Sequence, residues 1–191
     1  MTSTFRTLAV LVSLFAVLAC CGVAAGSTAT ATPTEWMTNF CGSVVTWEQT
    51  VKTHSKKLQS TIAGIKKAGH VNLVVVKGKL VGYLGRIVND TNTLIRKLKA
   101  VGAPSTKDGD KLQAAVVAAF GQVGKAFIAA RASARKLPTT TAKAFAKSAV
   151  ALGATVQADV NRVGASFNAI GQYNTEELDA AANSIPACKK L

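Results

Sequence analysis

The chain has 191 residues, with 23 Lys+Arg against 9 Asp+Glu for a formal charge of +14, and 49% of it is apolar. That apolar content excludes an intrinsically disordered chain, and four cysteines are too few for a disulfide-dense scaffold. Two histidines and nine carboxylates leave little from which to build a catalytic or metal centre.

Arg6 precedes an apolar run from Leu8 to Ala19, and small residues follow through Ala25. This is the pattern of a secretory signal peptide over residues 1–25, and the run is shorter than the roughly 20 residues a membrane span needs. Cleavage after Ala25 removes Cys20 and Cys21 and leaves Cys41 and Cys188 as an even pair. The alternative treats Val17-Leu18-Ala19-Cys20 as a lipobox, which would anchor the protein through Cys20 and strand Cys21 as an odd thiol. The reading is therefore a secreted or extracytoplasmic protein with no transmembrane span in its mature chain, with the Cys20-anchored lipoprotein as the alternative. Residues 26–32 read as a flexible tether and residues 33–191 as one helical domain.

Thr32-Pro33-Thr34-Glu35 is a capping box with proline at the first helical position, and it opens the first helix. Met37, Phe40, Val44, Trp47, Val51, Leu58, Ile62 and Ile65 follow at heptad spacing, and Gly69 is placed to end the helix. The segment from Asn72 to Val101 is ambiguous at its start, because residues 72–84 also carry the local propensity of a β-hairpin. Leu73, Val76, Leu80, Leu84, Ile87, Leu94, Leu98 and Val101 keep a 3/4 period throughout, which favours helix, and Gly78, Gly82 and Gly85 suggest close packing. Gly102 and Pro104 end it.

Asp108 is the expected N-cap of a third helix reaching Leu137, with Leu112, Val116, Phe120, Val123 and Phe127 on its stripe. Pro138 stops that helix, and Thr139 to Thr141 cap a fourth with Phe145, Ala149, Leu152, Val156, Val160, Val163, Phe167 and Ile170 on one face. A short fifth helix starts near Asn174 and ends before Pro186. The expected fold is all-α, an up-down-up-down four-helix bundle with a short C-terminal fifth helix and one disulfide. An even number of long helices brings the start of the first and the end of the fourth to one pole. Cys41 and Cys188 fall there, so they are expected to pair.

Chemistry is sparse. His54 lies on the apolar stripe of the first helix and His70 in a turn, and neither belongs to a metal-ligand spacing. Asp108 and Asp110 flank Gly109 without the rest of a calcium loop, and Glu176, Glu177 and Asp179 suit a helix N-terminus. No nucleophile elbow, phosphate loop or dinucleotide fingerprint is present. The expectation is a non-enzymatic protein with no cofactor, no metal and no catalytic residues.

The cations are patterned, for between Gln49 and Lys147 there are 19 basic residues and three acids. Lys56, Lys57, Lys66 and Lys67 on the first helix, Arg96, Lys97 and Lys99 on the second, and Arg131, Arg135 and Lys136 on the third lie near helix ends and form the candidate polyanion-binding set. Such a field attracts anionic lipid or cell-wall polymer. The aromatics fall on core stripes rather than between cations, which argues against nucleic acid. An apolar ligand between the amphipathic helices is a second option, and a structural or regulatory protein-interaction module is the alternative function. Ligand identity and oligomeric state do not follow from these residues.

With Phe40-Cys41-Gly42, Gly102-Ala103-Pro104 and the ending Pro186-Ala187-Cys188-Lys189-Lys190-Leu191, the chain resembles small secreted helical proteins of actinobacteria that carry no assigned activity. The resemblance implies a bundle and a disulfide only, and transfers no functional residue.

Overall fold

The computed structural model describes residues 30–67 and 71–191, the side chains at 66, 160, 165, 168 and 169 apart. The expected leader with Cys20 and Cys21, the tether up to residue 29, Gly69 and His70 lie outside the described residues. The fold is all-α, and the described residues form four long helices and a short fifth: α1 (Pro33–Lys67), α2 (Leu73–Val101), α3 (Gly109–Arg135), α4 (Ala142–Asn168) and α5 (Glu176–Ser184). Single turns of 3-10 helix at Ala169–Tyr173 and Cys188–Lys190 flank α5. Two-residue strands, β1 (Thr30–Ala31) and β2 (Ala103–Pro104), pair in parallel, so the last residues of the expected tether lie against the turn that follows α2.

Local chemistry accounts for the helix ends. The Glu35 N–H donates to Thr32 Oγ1 at 3.2 Å and the Thr32 N–H to Glu35 Oε2 at 3.0 Å, which closes the expected capping box. Asn72 Oδ1 accepts from the N–H groups of Val74 and Val75, so the ambiguous 72–84 segment starts a capped helix rather than a hairpin. Gly102, with φ 78°, ends α2. Thr141 Oγ1 accepts from the Ala144 N–H at the start of α4.

Two caps differ from expectation. Asp108 makes no side-chain cap bond; it has φ 58° and pairs with Lys111 Nζ at 2.7 Å instead. The fifth helix is capped by Thr175, whose hydroxyl accepts from Leu178, while the Asn174 amide donates to Asp179.

Consecutive long helices are antiparallel, as cross-contacts whose positions run in opposite directions establish. Trp47 Nε1 donates to Thr91 Oγ1 between α1 and α2. Between α2 and α3 the ladder runs from Gln113 Nε2 on the Leu98 carbonyl, through Gly124 against Thr91, to Lys77 Nζ on the Leu137 carbonyl. Gln122 and Ser166 join α3 to α4. The ends of α1 and α3 therefore share one pole with the starts of α2 and α4, and the opposite pole holds the disulfide. Cys41 and Cys188 are bonded there as expected, with Cα atoms 5.0 Å apart across 147 positions of sequence.

The fourth side of the bundle is not closed along its length. α4 packs on α3 and on the 3-10 turn after itself, and among the described residues α1 and α4 do not pack closely. The C-terminal segment fills the gap at the disulfide end, where α5 and the last 3-10 turn lie on α1. The main core sits at that end around Trp36, Leu94, Leu98, Val116, Phe120 and Leu178. A smaller cluster of Leu84, Ala130, Ala134 and Leu137 serves the other half. Leu58, Ile62 and Ile65 on α1, and Phe145, Ala149, Leu152 and Val156 on α4, are consequently half-buried rather than core, and of the expected α4 stripe only Val163 is fully buried among the described side chains.

Candidate functional site

The pole opposite the disulfide collects cations without acids. Glu48, Asp90, Asp110 and Asp159 are the acids nearest it on the four long helices, and beyond them toward the pole each helix carries only Lys and Arg. Lys56, Lys57, Lys67, Arg135 and Lys136 from the candidate set are exposed in this half. The topology adds exposed Lys79, Lys143 and Lys147, and Lys77, whose ammonium caps the last carbonyl of the α3 terminus at Leu137. The backbone of Lys66 belongs to the same turn of α1, and its side chain lies outside the described ones. Arg131 is partly engaged, since its guanidinium covers Gly85 so closely that a Cβ added there would meet it at 3.1 Å.

Arg96, Lys97 and Lys99 separate from this group. They sit at the end of α2, at the disulfide pole, where the chain also carries Glu35, Asp108, Asp110, Glu176, Glu177 and Asp179 together with Lys107, Lys111, Lys189 and Lys190. The ten candidates thus split seven to three between the poles. Several carboxylates of the mixed pole are structural: hydrogen bonds from the Thr32 backbone and hydroxyl hold Glu35 below its usual range, the Lys111 ammonium does so for Asp108, and the Thr175 hydroxyl for Glu177.

Apolar side chains accompany the cations. Val71, Val74 and Val75 are exposed by 48%, 61% and 42% at the entry to α2, on the basic pole. Val74 and Val75 belong to the 72–84 segment but lie off its 3/4 stripe, and Val71 precedes it, so the helical phase that buries Val76 leaves them outside.

The open fourth side contains a cleft of about 230 Å³ between α1, α3 and α4. Trp47, Phe120, Phe127, Val156, Val163 and Phe167 line most of it, and no lining residue is charged. Edge-on contacts of Trp47 with Phe120 and of Phe120 with Phe167, at 5.8 and 5.0 Å between ring centres, stiffen one wall. The indole N–H of Trp47 is turned away into its bond with Thr91, so side chains present only carbon to the cleft.

His54 is brought beside a carboxylate of the next helix. Its Nε2 lies 3.2 Å from Asp90 Oδ2 and joins the middles of α1 and α2, a charge pair when the imidazole is protonated. Among the described residues no cluster of three or more His, Cys, Asp or Glu side chains could hold a metal ion. Helix α3 is long and apolar enough to cross a bilayer by length and composition, and it is packed by neighbours on two sides, α2 and α4. No family model matches the chain, and neither a curated protein nor a solved structure matches it significantly.

Proposed function

We propose that the mature chain is an exported, non-enzymatic protein that docks its basic pole on an anionic lipid surface of the cell envelope. The observation that carries this reading is the segregation of charge: toward one pole all four long helices bear cations alone. Each Lys or Arg near an anionic bilayer contributes roughly 1 kcal/mol, so a handful reaching the surface together suffices for stable adsorption. Val71, Val74 and Val75 favour a bilayer over a wall polymer or nucleic acid, because exposed apolar side chains on a basic pole suit the boundary between headgroups and acyl chains. The disulfide accords with an oxidising compartment, as does the signal-peptide pattern of residues 1–25.

Co-sedimentation with vesicles tests it. The protein is expected to pellet with phosphatidylglycerol-containing vesicles and to stay in solution with neutral ones. Binding is expected to weaken as salt rises past roughly 0.1 M, where the Debye length falls to about 10 Å. Equal binding to neutral vesicles, or none to anionic ones at low salt, contradicts the proposal.

A further inference from the structure

The cleft between α1 and α4 is a second feature, distinct from the pole. We propose that it takes one acyl chain of an anionic lipid, whose headgroup stays among the cations toward the basic pole. The ligand class rests on the surface-binding reading above; the cleft itself rests on geometry.

Three observations identify the occupant. The first is chemical: with every lining side chain presenting carbon and the single indole N–H satisfied elsewhere, a polar ligand would lose its hydrogen bonds and gain none. At about 230 Å³ the cleft exceeds the roughly 150 Å³ of an apolar cavity able to hold benzene.

The second is shape. Along α4 the lining runs from Phe167 to Val156, roughly 16 Å at 1.5 Å per residue, close to half the roughly 30 Å hydrocarbon core of a bilayer and thus to one leaflet's chain. α5 and the last 3-10 turn lie on α1, and the turn before α5 packs on α3 and α4, so the disulfide end is covered and the open side faces the basic half.

The third is charge. Beyond Val156 the seam between α3 and α4 continues through half-buried Leu152, Ala149 and Phe145, flanked by Lys147 on α4. On α1, Lys52 pairs with Glu48 at 3.2 Å, and the next lysines toward the pole, Lys56 and Lys57, make no ion pair among the described residues. A chain lying in the cleft with its anionic end toward the basic pole meets cations alone, whereas the reverse orientation places that end at the mixed pole, where carboxylates offset the cations.

Gly164 supplies the test. It lines the cleft, and a Cβ built on it meets nothing within 4 Å, so a side chain can start there without displacing a neighbour. The full-length, disulfide-bonded protein is titrated with monomeric dibrominated stearate while tryptophan fluorescence is followed. Saturable quenching is expected, and Trp47→Phe should remove most of it, since Trp36 is buried at the disulfide end. Gly164→Leu should weaken the apparent affinity by at least about tenfold, with Gly164→Ala intermediate. The corresponding dibrominated alcohol should bind about tenfold more weakly than the carboxylate.

Unchanged quenching in Gly164→Leu overturns the cleft assignment, and equal affinity for the alcohol overturns the headgroup assignment. Gly164→Leu leaves the pole intact and should still co-sediment with anionic vesicles. Loss of stearate quenching with retained vesicle binding therefore separates the two sites. Wild-type quenching without vesicle binding would defeat the surface reading alone.

Discussion

Glu35 and Thr32 show at the smallest scale how the sequence commits the chain to helix. Their reciprocal bonds satisfy backbone donors that a helix start leaves open, and they hold the Glu35 carboxyl below its usual range. A carboxyl whose folded pKa is depressed adds stability above its unfolded pKa, and that stability is lost as pH falls through the folded value. Glu35, Asp108 and Glu177 share this sign. Melting temperature should therefore fall as pH drops below the ordinary carboxylate range, and Thr32→Ala should lower it at neutral pH while narrowing the difference between neutral and acid melts. The glycines make a second prediction at this scale. Close packing was expected of Gly78, Gly82 and Gly85, yet only Gly85 has a side chain against it; a Cβ at Gly78 or Gly82 meets nothing within 4 Å. Gly82→Ala should raise stability by about 0.5–1 kcal/mol in urea unfolding. Gly109→Ala should lower it, because the added Cβ runs into the Pro104 carbonyl. The caps were legible in the sequence because the bonds are local. The role of each glycine was not, since it depends on which neighbour happens to face it.

At the scale of elements, helix identity was written in periodicity, and the 73–81 run of valines and lysines became helix because its 3/4 pattern continued through the whole of α2. Burial was less legible. An apolar stripe says which face avoids water and not what covers it, so Leu58, Ile62 and Phe145 read as core although no helix closes over them. Trp36 was missed in the opposite sense: it lies beside the expected stripe and is 3% exposed, because the returning C-terminal segment broadens the buried face of α1. The disulfide fixes that segment. It closes a loop spanning 147 positions, for which the chain-entropy account gives about 5 kcal/mol. The Cys41→Ser/Cys188→Ser double variant should unfold at markedly lower denaturant, with α5 the first segment to lose amide-exchange protection. Unchanged stability would mean that packing of α5 alone holds the C-terminus.

For the whole molecule, the topology gathers cations spread over three long helices into a polar object. Helices of alternating direction send the clusters at the ends of α1 and α3 to one pole and that at the end of α2 to the other, which is why Arg96, Lys97 and Lys99 part from the rest. The density of core follows the same axis, from a broad aromatic cluster at the disulfide end to a small alanine-rich one at the basic end. Amide exchange should accordingly be faster in the basic half, where fewer apolar side chains must be exposed to open the structure. The proposed surface contact and the looser packing thus lie toward the pole that the disulfide leaves free, while the cleft lies between the two clusters, sharing Phe120 with the main one and packing Phe127 and Val156 against the smaller.

The most direct measurement compares two triple charge reversals in anionic-vesicle co-sedimentation at low salt. Lys56→Glu/Lys57→Glu/Lys67→Glu alters the basic pole, and Arg96→Glu/Lys97→Glu/Lys99→Glu changes net charge equally at the mixed pole. If the basic pole is the docking face, the first variant loses most of its binding and the second keeps most of it. Equal losses from both would show that net charge alone governs adsorption and would contradict the account.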